Sequence, residues 1–340
     1  MPDGQTILLA FTIAVALGFD FTNGFHDTAN AVATTISTRA LSPRLAVLMS
    51  SVLNLVGAVV AISVLHTKVA NTIGSLVAPR GGAALGMIIA ALIGAIAWNL
   101  ITWRAGIPSS SSHALIGGLI GMGIVAYGFG AIRWAQVWPV VIALVTSPIA
   151  GLILSYVCML VVLNLFRRAQ PAVANRRFRV AQVVSGGFVS FSHGANDAQK
   201  TMGVITLALL TTHHVGTVNG AFPEPPIWVV LLAASAIGMG TYAGGWRIIR
   251  TLGSRVIRLE PVDGFVAQTM AAVVIQGATQ LALPVSTTHV VSGSVMGAGA
   301  TRRFGAVRWG VARNILVTWL VTIPAAALIA GGCAAVASAV

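Results

Sequence analysis

Apolar residues run along this chain in blocks too long and too continuous for the core-facing stripe of a soluble helix. Ile7 to Leu17, Val137 to Phe166 and Ile315 to Ala330 are almost free of charge, and about 20 apolar residues are what an α-helix needs to cross the hydrocarbon of a bilayer. The pattern predicts ten membrane segments, at roughly 5–36, 43–66, 82–103, 110–130, 137–166, 181–212, 225–244, 262–281, 284–300 and 310–337. The expected fold is therefore an all-α polytopic membrane protein. Two of the short segments are also compatible with re-entrant hairpins. The first segment lacks a basic n-region and carries Asp20, so it reads as a retained span and not as a cleaved signal.

Composition supports this class, with 56% apolar and only 8% charged residues. A net charge of +13 raises the question of nucleic acid, but the placement of the basic residues answers it. Arg39, Arg44, Arg104, Arg167, Arg168, Arg176, Arg177, Arg179, Arg247, Arg250, Arg255, Arg258, Arg302, Arg303, Arg308 and Arg313 fall on one side of the predicted topology, 16 of 20 basic residues. Lys68, Arg80 and Arg133 fall on the other, and Lys200 lies inside a segment. By the positive-inside rule the first side is cytoplasmic, which places both termini outside. The excess charge sets orientation and meets lipid; no nucleic-acid partner is implied. Cys158 and Cys333 show no metal or redox spacing and read as small buried hydrophobes.

Five predicted crossings precede the basic stretch at 167–180 and five follow it. An odd number per half makes the halves antiparallel. The chain thus divides into a first transmembrane repeat at 1–166, a basic cytoplasmic linker at 167–180, and a second, inverted repeat at 181–340. Independent landmarks agree with duplication. Gly24-Phe25-His26-Asp27-Thr28-Ala29-Asn30 is matched by Gly194-Ala195-Asn196-Asp197-Ala198-Gln199-Lys200, 170 positions on. Pro108-Ser109-Ser110-Ser111-Ser112-His113 is matched by Pro284-Val285-Ser286-Thr287-Thr288-His289, and Thr146-Ser147-Pro148 by Thr322-Ile323-Pro324, both at an offset of 176.

These motifs carry the chemistry. Asp27 and Asp197 are two of only seven acidic residues. A carboxylate at membrane depth is costly unless it is protonated, paired or facing water. Gly24, Gly194, Pro108 and Pro284 read as helix interrupters, and interrupted helices in corresponding positions of inverted halves point to a midplane site of the secondary-transporter kind. Ser110, Ser111 and Ser112, with Ser286, Thr287 and Thr288, form hydroxyl-rich helix starts that can cradle an anion with donors and backbone N–H groups. Their plainer reading is helix capping and close packing. An oxyanion beside Asp27 and Asp197 requires a proton or cation between them, so both carboxylates are candidate cation ligands. Asn23, Asn30 and Asn196 offer carbonyl oxygens suited to hard cations and amides that can donate to the anion. Glu260 and Asp263, near Arg255 and Arg258, read as surface ion pairing. Gln276, Gln280, Asn99 and Thr102 read as path lining or as polar contacts between helices.

The paired acidic signature and the Pro-Ser-Ser-Ser-Ser-His run resemble the inorganic phosphate transporter family, often called PiT, over essentially the whole chain. The resemblance implies an inverted-repeat secondary transporter in the cytoplasmic membrane, a homodimer, importing inorganic phosphate with a coupling cation. It also implies that a divalent metal can travel with phosphate as a neutral complex, and it leaves sulfate as an alternative substrate. No cofactor is implied. Two departures bear on coupling: Phe25-His26 stands where the family pattern has Ala-Asn, and Gln199-Lys200 replaces Ala-Asn in the second copy. A fixed ammonium where a sodium ligand would stand favours proton over sodium coupling, with His26 and His193 as relay candidates. Lys200 can also reach the anion, as can Asn196. An intramembrane hydrolase using Ser, His and Asp is disfavoured because every candidate is mirrored across the repeat, whereas nucleophilic catalysis activates one hydroxyl. A passive channel is the remaining rival.

Overall fold

The computed structural model describes residues 3–65, 68–79, 83–217, 221–257, 259–302, 305 and 307–339. Arg80, Arg258 and Arg303, and the side chain of Arg255, lie outside the described residues. All ten predicted segments are helices: α1 (Gly4–Ser37), α2 (Pro43–Leu65), α4 (Ala84–Ala105), α5 (Ser111–Tyr127), α6 (Trp134–Leu165), α7 (Pro171–Thr211), α8 (Ile227–Ala243), α10 (Pro261–Gln280), α11 (Thr287–Ala300) and α12 (Trp309–Ala339). Short helices α3 (Lys68–Gly74) and α9 (Trp246–Arg250) join them. By length and composition alone, α1, α2, α4, α6 and α12 can each cross a bilayer. A sixth span is formed if Ile227–Ala243 and Trp246–Gly253, bent by 58°, count together. Leu165, Leu320 and Leu328 are among many large apolar side chains left on the outside, as lipid contact requires.

Three expectations are corrected. Helices α1 and α7 run unbroken through Gly24 and Gly194, so these glycines do not interrupt them. They let neighbouring backbones touch: a methyl at Gly24 would overlap Ile237 O on α8, and one at Gly194 would overlap Asn54 O on α2. The same two helix pairs meet again where Gly240 faces Phe21 O and Gly57 faces Phe191 O. Second, α7 begins at Pro171, so Arg176, Arg177 and Arg179 extend a membrane helix instead of sitting in a loop. Pro171 opens the helix because its missing N–H is not needed there. Third, Asp263 is buried and belongs to a helix cap. Its carboxylate accepts from Glu260 N (2.8 Å), and its ion-pair partner is Arg302 at 3.2 Å.

Among the described residues two large apolar clusters form most of the core, with a small third one at Ala143, Ala278 and Val285. One cluster holds Phe19 of α1, Leu92 of α4, Leu115 and Met122 of α5 and Met202 to Leu209 of α7. The other holds Ala29 to Ala33 of α1, Val189 of α7, Ile275 of α10 and Val290 to Val295 of α11. Helix α1 therefore runs from the first cluster to the second and α7 runs back. Between the clusters, both helices carry their polar residues. Helices α5 and α11 begin at this layer and run away from it in opposite directions, so their N-termini meet head to head, with the His113 and His289 rings 4.4 Å apart.

Each of these meeting helices is entered through the same turn. Gly106 (φ 67°) ends α4, with Gly106 N donating to Trp103 O and Ile107 N to Thr102 O. Ala282 (φ 61°) ends α10 likewise, with Ala282 N donating to Thr279 O and Leu283 N to Ala278 O. Left-handed backbone is free for glycine and costs alanine about 1 kcal/mol or more. Ala282→Gly is therefore expected to stabilise the protein by roughly 1 kcal/mol and Gly106→Ala to destabilise it by a similar amount. Thermal unfolding of the detergent-solubilised variants measures both signs.

Candidate functional site

Asp27 sits where α1 passes the facing N-termini of α5 and α11. It is 2% exposed, so its charge must be answered by protein groups. From α11, Thr287 Oγ1 donates to Asp27 Oδ2 (3.2 Å) and Thr288 Oγ1 to Oδ1 (3.0 Å). From α5, Ser111 Oγ donates to Asn23 Oδ1 (2.6 Å) and lies 3.3 Å from Asp27 Oδ2. His26 Nδ1 is 2.9 Å from Asp27 Oδ1, while its Nε2 lies 3.2 Å from Thr102 Oγ1 and 3.4 Å from Ser109 Oγ. Ser110 and Ser286 act as N-caps, accepting from His113 N (3.1 Å) and His289 N (3.2 Å). Their neighbours are thereby left free to point at the carboxylate.

Asp197 is satisfied differently. Lys200 lies one turn along α7 and places Nζ 2.8 Å from Asp197 Oδ1. The same ammonium donates to Ser112 Oγ and to Val285 O (3.0 Å). Asn23 Nδ2 lies 3.5 Å from Asp197 Oδ2. The contacts of one signature echo those of the other. Asn30 donates to Thr288 (2.9 Å) as Lys200 donates to Ser112, and His193 Nε2 approaches Asp27 Oδ2 (3.6 Å) as Asn23 approaches Asp197.

His193 joins the two carboxylates. Its Nδ1 is 2.9 Å from Asn54 Oδ1, whose amide orientation follows from Nδ2 donating to Thr241 Oγ1 (2.8 Å). With Nδ1 as donor, Nε2 faces Asp27 Oδ2 at 3.6 Å and Asp197 Oδ2 at 3.7 Å. A lone pair there would be repelled by both carboxylates; a proton or a metal ion would be held by both. Asp27, His193 and Asp197 each offer one ligand atom, all within 4.8 Å of one another. Two carboxylate oxygens and an imidazole suit a divalent cation, and the Asn54 contact fixes the tautomer that such a site needs.

Of the residues named from sequence, Ser111, Ser112, Thr287, Thr288, Asn23, Asn30, His26, His193, Lys200 and both aspartates come together. Ser110 and Ser286 cap the helices. Asn196 points away, its Nδ2 donating to Thr279 Oγ1 (2.8 Å) and Leu283 O (3.4 Å). Separate polar contacts between helices lie on the side of the second apolar cluster, where Gln268 Nε2 donates to Thr35 Oγ1 (2.9 Å) and Thr38 Oγ1 to Gln182 Oε1 (2.7 Å). Sequence reasoning missed Asn54 and gave Asp20 no role. Asp20 lies two helical turns before Asp27, on the same face of α1, and that spacing was the signal that could have found it.

Two cavities approach the layer from opposite ends. One of about 640 Å³ is lined by Lys68, Asn71, Arg133, Gln136 and the 281–283 turn. That turn is tied inward by Asn196 to Leu283 O. The other, about 350 Å³, is lined by Arg104, Gly106, Arg247, Arg250 and Thr251, and Thr251 Oγ1 donates to Gly106 O (2.8 Å) at the entry to the first hydroxyl turn.

Breaking a buried ion pair on one side only leaves an unanswered charge. Lys200→Met is accordingly expected to cost about 3–5 kcal/mol of stability and Lys200→Met with Asp197→Asn far less. Additive losses in thermal unfolding would contradict the pairing.

Residues 23–330 match the model of the phosphate transporter family. The chain is 46% identical to a probable low-affinity inorganic phosphate transporter of Rhizobium meliloti (strain 1021), covering 96% of this chain and 95% of that protein. It is 44% identical to a protein of the same description from Bacillus subtilis (strain 168), covering 94% and 95%. A solved structure described as the sodium-dependent phosphate transporter superposes with a TM-score of 0.88 at 26% identity, over 98% of this chain and all of that one. The relatives are transporters and not enzymes, and with this coverage and this site the chain belongs to the phosphate transporter family.

Proposed function

We propose that this protein imports inorganic phosphate by proton symport, binding it between the facing starts of α5 and α11. The observation that carries this reading is the convergence of both hydroxyl turns on Asp27. Two helix N-termini aimed at one point supply a positive potential from both sides. Ser111, Ser112, Thr287, Thr288 and Lys200 supply neutral and charged donors. On binding, hydroxyls that donate to Asp27 turn to the phosphate oxygens.

Asp27 favours phosphate over sulfate. Phosphate near neutral pH keeps at least one O–H, which donates to the carboxylate; sulfate has none and would set bare oxygens against it. A site built to accept a substrate hydrogen discriminates strongly against an analogue lacking one. Proton coupling draws support from the fixed Lys200 ammonium on Asp197 and from the two imidazoles on Asp27. A second reading rests on the Asp27, His193 and Asp197 cluster, which suits a divalent metal carried as a phosphate complex.

Alternating access would expose the layer first through the cavity at Lys68 and Arg133, then through that at Arg104 and Arg247. The antiparallel α1 and α7 and the mirrored glycine contacts support two inverted repeats, 1–166 and 181–340. With the arginine-rich side cytoplasmic, both termini lie outside.

Uptake into proteoliposomes tests the coupling: an imposed pH gradient is expected to drive phosphate accumulation and an imposed sodium gradient at constant pH to drive none. Sodium-driven, pH-independent uptake would sink the proton reading, and loss of uptake on chelation of divalent metals would select the metal complex. Excess sulfate is expected to compete poorly. Asp27→Asn should lower phosphate uptake by roughly 10- to 100-fold, the scale of one hydrogen bond to a charged group, while leaving the protein monodisperse.

A further inference from the structure

The buried layer contains a third carboxylate that none of these contacts uses. Asp20 is 0% exposed, and neither of its oxygens makes a hydrogen bond. Thr201, on the facing turn of α7, also has an unpartnered buried hydroxyl. Thr201 and Asn23 are the polar side chains set against Asp20, and the charges acting on it are Asp197 and Lys200 of α7. Of the remaining buried titratable groups of the layer, Asp27 and His26 on α1, His193 on α7 and His113 on α5 have hydrogen-bond partners, and His289 on α11 packs its ring against His113 and Trp319 with its Nε2 unpartnered. So Asp27 has hydroxyl and imidazole donors, Asp197 has an ammonium, and Asp20 has beside it only the neutral side chains of Thr201 and Asn23, neither in hydrogen-bonding geometry.

An ionised carboxylate in that position is costly. Neutralising it requires a proton or a cation. A metal cation would need several oxygen ligands; beside Asp20 stand the Thr201 hydroxyl and the Asn23 amide, whose oxygen is already taken by Ser111 (2.6 Å). It would also face the Lys200 ammonium. A proton needs no ligand set.

From this geometry we infer that Asp20 is the carboxyl group that takes up the transported proton. The inference rests on the proton-symport reading above and adds the group that carries the charge. Asp20 lies on the same side of the layer as Phe19 and the first apolar cluster, towards the cavity at Lys68 and Arg133. Protonated, it is a neutral donor for the Thr201 hydroxyl. Deprotonated, it draws Lys200 away from Asp197 and Ser112 and so alters the cradle in which phosphate sits. Proton and phosphate are thereby coupled through one lysine.

The test uses full-length protein in proteoliposomes with two readouts, accumulation driven by a pH gradient and phosphate exchange at equal pH. The wild-type arm tests proton coupling itself: if the wild type accumulates no phosphate under a pH gradient, that reading fails and this one with it. Given a proton-coupled wild type, Asp20→Asn is expected to abolish pH-driven accumulation, the in-to-out ratio falling to about one, the value that uncoupled equilibration gives, while exchange continues. Asp20→Glu should restore accumulation. Retained pH-driven accumulation in Asp20→Asn would overturn the assignment. So would loss of exchange together with accumulation, since that marks a role in folding or in holding phosphate.

Discussion

A buried carboxylate at the junction of two helix N-termini organises this molecule. Asp27 cannot be left without donors inside an apolar protein. The groups that answer it come from α5, α7 and α11 as well as from its own helix. Each donor has to arrive at the start of a helix or from one turn of a crossing helix, and this fixes how those elements meet. The glycines follow from the same requirement. Side chains as short as Ser, Thr and Asp reach each other only if the helix axes are close, and at Gly24, Gly57, Gly194 and Gly240 the neighbouring backbone occupies the place a Cβ would need. Close approach of helices through small residues is the ordinary solution in a bilayer, where apolar side chains gain little by meeting each other instead of lipid.

Placing two helix starts head to head has a consequence for chemistry. The first turn of a helix leaves backbone N–H groups without intrahelical partners. Ser110 and Ser286 take up one each at His113 N and His289 N, which holds the following hydroxyls in a fixed fan. A single helix start would favour any anion. Two starts with a carboxylate between them favour an anion that carries its own proton, because only that anion satisfies donors and acceptor together. The feature that looks least suited to an anion site is therefore, on the proposed reading, the one that would make it selective.

Much of this was legible in the sequence, and the reasons differ by element. The long apolar segments declared themselves because a lipid-facing helix has no polar face to hide the pattern, and all ten are helical. The hydroxyl turns were legible because Pro followed by Ser or Thr is both a helix stop and a helix start. Gly24 and Gly194 were misread as breaks: glycine permits a bend and permits close contact equally, and only the partner helix decides which. The start of α7 was missed because arginines at a membrane end look like a loop until the helix is seen to extend beyond the apolar run. Asn196 was placed in the site because its amide can serve a cation or an anion, yet it turns to Thr279, whereas His26 at the equivalent position meets Asp27 and Thr102. Asp20 has no acidic counterpart, position 190 being Ser, so an argument from duplication could not find it.

That asymmetry bears on how the protein works. The frame repeats: Asn30 reaches Thr288 as Lys200 reaches Ser112, and His193 reaches Asp27 as Asn23 reaches Asp197. The charges do not repeat. Where the first signature ends in a neutral amide, the second ends in an ammonium, and the lysine side chain is long enough to touch a carboxylate, a hydroxyl turn and a backbone carbonyl at once. A frame with equivalent halves gives two conformations of similar energy, each open to one side. Unequal charges within it make those conformations respond differently to a proton or an anion, and only a differential response lets a ligand shift the balance between them. On the proposed proton-symport reading, the near-symmetry would supply reversibility, and the broken symmetry at Asp20, Asp197 and Lys200 would supply the coupling.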